Sequence, residues 1–118
     1  MEIKDIVDFQ KTFDIKHGWL WSPTDDESKK MNDLQYATIA ILGELGEFSN
    51  VVKKILREYN HLNTKPTQEM IEKLKEELTD VFIYLVKLSM MLDFDLEKHY
   101  LQKMALNTER FKRFEVEK

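Results

Sequence analysis

The 118-residue chain has no cysteine, two prolines and three glycines. The lack of cysteine excludes a disulfide framework, a thiolate zinc site and a cysteine nucleophile. With so few prolines and glycines, long stretches run without a helix breaker. No segment alternates apolar and polar positions with β-branched residues, so no sheet is expected. Long apolar runs are missing too. The longest near-apolar stretch, residues 81–92, is interrupted by Lys87 and is too short to span a bilayer. Nor is positive charge in surplus: the formal net charge is -4. A polymeric nucleic acid needs a basic face, so neither that partner nor a membrane is expected. A single small polyanion fits better, provided a metal ion carries the attraction. Met1 to Asp8 mixes apolar with charged residues and does not read as a secretory signal, so a cytoplasmic location is the default.

What is present is helical periodicity. The length suggests one domain, residues 1–118, large enough for a core of its own. The first helix is expected from about Ile3 to Ile15, followed by a loop to about Glu27 that carries Trp19, Trp21 and Pro23. The second is expected from about Asn32 to Tyr59, and residues 60–66 form a polar linker. Thr67 suits the N-cap of a third helix reaching about Leu92, and Asp93 or Asp95 that of a fourth ending near Phe114. Short connections between long amphipathic helices argue for an all-α, up-and-down four-helix bundle.

Helix bearings single out four acids. With about 100° per residue, Ala37, Ile41, Phe48, Val51 and Ile55 lie within about 60° of Glu44. Glu44 therefore sits in the middle of an apolar stripe, with Glu47 at its edge. On the next helix Val81, Tyr84 and Leu88 lie within about 40° of Glu77, with Asp80 at the edge. A bare buried carboxylate costs several kcal/mol or neutralises itself. Two acidic pairs facing one core raise that cost. The lysines of these helices, Lys53, Lys54, Lys73, Lys75 and Lys87, are expected mostly to point elsewhere, which makes a divalent cation the simpler compensation. An all-oxygen donor set suits magnesium, manganese or calcium better than zinc. Di-iron bundles use a Glu-x-x-His on two helices, and neither acidic pair has that histidine.

The residues that carry these acids resemble a known family. Ile41-Leu42-Gly43-Glu44-Leu45-Gly46-Glu47 is similar to the first acidic motif of the MazG-like all-α nucleoside-triphosphate pyrophosphohydrolases. Glu76-Glu77-Leu78-Thr79-Asp80-Val81 resembles the second. Lys103-x-x-x-Asn107-x-x-Arg110-Phe111 resembles the polar stretch on the last helix. The motifs fall in order over roughly residues 30–114. The resemblance implies hydrolysis of a nucleoside triphosphate between its α- and β-phosphates, giving monophosphate and pyrophosphate in a house-cleaning role. It implies that Glu44, Glu47, Glu77 and Asp80 bind Mg2+, with Mn2+ able to substitute, and that one of them takes a proton from the attacking water. The deoxycytidine-triphosphate pyrophosphatase-like branch is one possible placement.

Other residues fill out the expected site. Lys103, Asn107 and Arg110 share one helix face and offer donors to phosphate oxygens. Tyr84 lies one turn beyond Asp80, and Lys54 lies on the Glu47 side of its helix. Trp19, Trp21 and His17 precede the first motif, where aromatic rings can stack on a base and an imidazole can bond its edge. The second and third helices are apolar over wide arcs, so a homo-oligomer is expected, a homodimer or homotetramer by the resemblance. The competing readings are a noncatalytic helical module that senses a nucleotide or binds a protein, and a di-iron carboxylate bundle.

Overall fold

In the computed structural model, residues 1–19 and 26–116 are described. They form an all-α four-helix bundle: α1 (Ile3–Lys16), α2 (Glu27–Leu62), α3 (Gln68–Met91) and α4 (Leu96–Arg110), followed by a 3-10 turn, Lys112–Phe114. No strand occurs among the described residues. Each long helix starts on a side-chain oxygen that takes up otherwise unpaired amides. Asp26 accepts from Ser28 and Lys29 at the start of α2, Thr67 from Met70 at α3, and Asp95 from Lys98 at α4. Three helices end where the chain enters the left-handed region, at Gly18, Asn63 and Asp93 (φ 68°, 52° and 50°). At each, an amide reaches back five or six residues: Trp19 to Asp14, Thr64 to Glu58, and Phe94 to Ser89. The turn after α1 places the Trp19 amide 2.9 Å from the Asp14 carbonyl.

Three boundaries differ from the periodicity, one being the end of α2 at Leu62, three residues into the expected 60–66 linker, where the left-handed Asn63 stops the helix. α2 begins at Glu27, ahead of the expected Asn32. Its first turn is polar and carries no apolar signal, and it is held by the Asp26 cap and by Lys29–Asp33 and Lys30–Glu27 pairs at 2.6 and 3.4 Å. α4 stops at Arg110, short of Phe114, because Phe111 to Phe114 tighten into the 3-10 turn.

α2 and α3 form the principal packed pair; α1 lies on α3, and α4 takes its main packing from α1. The 36 residues of α2 rise about 54 Å at 1.5 Å each, which accounts for the 55 Å long axis. The radius of gyration is 18.7 Å. A compact chain of this length has about 13.5 Å. The core is correspondingly thin: among the described apolar residues only Ala37 and Val86 are fully buried. Ile39, Leu42, Leu45 and Leu56 on α2 and Leu78 and Leu85 on α3 are exposed. These positions lie roughly opposite or at right angles to the acids on their helices.

Candidate metal centre

The α2–α3 interface brings Glu44, Glu77 and Asp80 together, with one oxygen of each within 4.8 Å of the others. This follows from the two stripes: when they pack face to face, the acids embedded in them must meet. Glu77 is buried at 4% exposure, while Glu44 and Asp80 are half-buried. Glu44 Oε2 and Glu77 Oε2 are buried with no hydrogen-bond partner. Buried carboxylate oxygens are normally satisfied, and two unsatisfied ones facing a third acid are what a hard cation would complete. The donor set is all oxygen and contains no histidine.

Glu47 stands apart from this trio. It is exposed, and the neighbouring carboxyl of Glu77 first, then that of Glu44, holds it above the usual carboxylate range. Glu77 moves the opposite way. Lys73 Nζ lies 3.0 Å from Glu77 Oε1 and holds that carboxyl below its usual range, against the opposing effect of burial. In return the Glu77 carboxylate raises the ammonium of Lys73. Lys73 is thus an exception to the expectation that these lysines mostly point away from the four acids, whereas Lys87 meets a different carboxylate. Lys73 pairs with a member of the trio one turn away, and Lys87 is largely covered, with 20% of its side chain exposed, 3.5 Å from the buried Asp14. Asp80 also faces outward, lining a shallow hollow of about 440 Å3 with Glu72, Lys75, Glu76 and Thr79.

Tyr84 is half-buried beside the trio. Burial first, then the negative fields of Tyr36, Glu44, Asp80 and Asp14, push its phenol up. His17 is stacked between Phe13 and Trp19, with ring centroids 4.2 and 4.9 Å away, and its Nδ1 is 2.7 Å from the Phe13 carbonyl. Trp19 is 62% exposed. Trp21 lies outside the described residues. Lys54 is exposed on α2. Lys103, Asn107 and Arg110 lie on α4; Asn107 is half-buried against Met104, and Arg110 covers the Phe111 ring. Among the described residues no ion pair joins Lys103 or Arg110 to any of the four acids.

Periodicity had not singled out Asp14, which is 1% exposed. The signal was there: Ile3, Val7 and Gln10 lie within about 40° of it on α1, the same test that exposes Glu44.

No protein-family model matches the chain. Over 71 residues it is 38% identical to "Gene 37 protein" of Mycobacterium phage L5, and the match covers 60% of each protein. The chain thus spans about 60% of that relative's length.

Proposed function

We propose that the protein is a magnesium-dependent nucleoside-triphosphate pyrophosphohydrolase of the MazG-like kind, with Glu44, Glu77 and Asp80 as the metal-holding trio and Glu47 beside it. The observation that carries this reading is the convergence of three carboxylates within 4.8 Å, two of them with an unpartnered buried oxygen. The similarity of the residue 41–47 and 76–81 segments to the family's acidic motifs turns the reading towards a triphosphate. When bound, Mg2+ would neutralise the triphosphate and activate water towards phosphorus. The chain's own residues do the rest. Glu44, Glu77 and Asp80 bind and orient, and Lys73 fixes the Glu77 rotamer. Glu47, whose carboxyl is held above the usual range, takes the proton from the attacking water. Lys103, Asn107 and Arg110 contact phosphate oxygens.

The same reading includes a homodimer or homotetramer. Its support is the loose single chain, with a radius of gyration of 18.7 Å and exposed Ile39, Leu42, Tyr100, Leu101 and Met104. α4, which bears the phosphate donors, gains its natural cover from a second copy.

The test is a panel of ribo- and deoxynucleoside triphosphates incubated with Mg2+ and assayed for pyrophosphate. Pyrophosphate and monophosphate in equal amounts are expected from at least one nucleotide. Orthophosphate alone, or no product from any, would refute the activity.

A further inference from the structure

Asp14 is a buried carboxylate with no part in the proposed metal centre, and its partners are unusual for a small helical core. Gln10 donates to it at 3.0 Å from one turn earlier, and Lys87 reaches it at 3.5 Å from α3. An isolated pair of this kind adds little stability over apolar side chains of the same size. Its placement is more informative. The Lys87 ammonium lies 5.2 Å from the Tyr84 ring centroid and 5.9 Å from that of Trp19. The Asp14 carbonyl anchors the Trp19 amide, and Trp19 continues the stack of His17 and Phe13. The ammonium carries three donors and no acceptor. Among the described residues Asp14 is its only ion-pair partner.

This cluster adjoins the acids. Tyr84 feels Glu44 and Asp80 as well as Asp14. Asp80 and Lys87 lie on the same side of α3, seven residues and so about 10 Å apart. That separation suits a nucleotide with its phosphates at the trio and its base at the aromatic cluster.

Resting on the pyrophosphohydrolase reading, we propose that Lys87, positioned by Asp14, is a specificity residue that donates a hydrogen bond to a carbonyl oxygen of the substrate base. It therefore selects nucleotides of uracil, thymine, cytosine or guanine over those of adenine, the one common base without a carbonyl. The ammonium hydrogens not turned to Asp14 find no carbonyl on adenine and lose that bond, so the discrimination should be about tenfold to a hundredfold.

The experiment compares kcat/KM for dUTP, dTTP, dCTP, dGTP and dATP in Mg2+, by pyrophosphate release. The enzymes are wild type, the double variant Asp14→Asn/Lys87→Met, and Lys87→Arg. The pair is changed together because removing Lys87 alone would strand a buried carboxylate. Circular dichroism confirms that each variant is folded. The expected result is a wild-type ratio of the best carbonyl-bearing nucleotide to dATP of tenfold or more. That ratio should fall at least tenfold in the double variant and be partly kept in Lys87→Arg, which still donates. An unchanged ratio in a folded double variant would overturn the proposal, as would a wild-type preference for dATP. If wild type releases pyrophosphate from no nucleotide, the activity reading fails separately. Quenching of tryptophan fluorescence by dUTP and dATP then decides the proposal. Saturable quenching at least tenfold tighter for dUTP, lost in the double variant, supports it; equal or absent quenching overturns it.

Discussion

Replacing Glu44 by Gln should move stability in opposite directions without and with magnesium. Glu44, Glu77 and Asp80 place three carboxylate oxygens within 4.8 Å. Two unit charges 4.8 Å apart repel by about 1 kcal/mol in a water-like surrounding and about 3.5 kcal/mol at an effective dielectric of 20. Glu44 is only half-buried, so the lower figure applies. An amide there is nearly isosteric and can donate to its acidic neighbours, so the metal-free variant should be more stable by about 1 kcal/mol. At about 2.1 cal/mol/K per residue, that is a rise of about 4 °C in Tm. Magnesium at a hundred times its Kd should stabilise the wild-type chain by about 2.7 kcal/mol, or about 10 °C. The variant should lose most of that increment. Differential scanning fluorimetry in EDTA and across a magnesium titration reads both effects. A metal-free variant that melts below wild type would refute the repulsion reasoning. A full magnesium shift in the variant would remove Glu44 from the metal centre.

Asp80→Asn should lower pyrophosphate release by about a hundredfold or more, since Asp80 acts within the trio; loss of less than tenfold would place the chemistry elsewhere. Lys73→Gln should tighten magnesium binding, read by calorimetry, because the ammonium now competes with the ion for Glu77; weaker binding would contradict this. Glu47 titrates above its unfolded value, so the stability it confers is fully present below the unfolded pKa and lost as pH rises through the folded one. Metal-free Tm should therefore rise as pH falls through Glu47's raised range, then turn down as the depressed carboxyls of Glu77 and Glu72 protonate. A pH–Tm profile that keeps the rise in Glu47→Gln would exclude Glu47 as its cause. Light scattering should give about two or four times the 14.2 kDa chain mass, and a monomer mass would refute the homo-oligomer.

The sequence by itself determined the helical class and the meeting of the acids. Few breakers and a persistent apolar period leave no alternative to long helices. A carboxylate at the centre of a stripe must go wherever the stripe goes, so Glu44 and Glu77 were bound to face the same interface. Bearings on one helix, however, say nothing of reach across to another. Only the tertiary structure decided that Asp80 joins the trio while Glu47 stays exposed outside it. It also decided that Lys73 and Lys87, which look like solvated lysines in sequence, turn back onto carboxylates. A lysine side chain is long enough to snorkel either way, and its direction is set by the charge it finds. Asp14 shows both sides of this. Its burial was legible from the stripe on α1; its partner, on a helix more than seventy residues away, was not, because pairing between helices depends on how they dock.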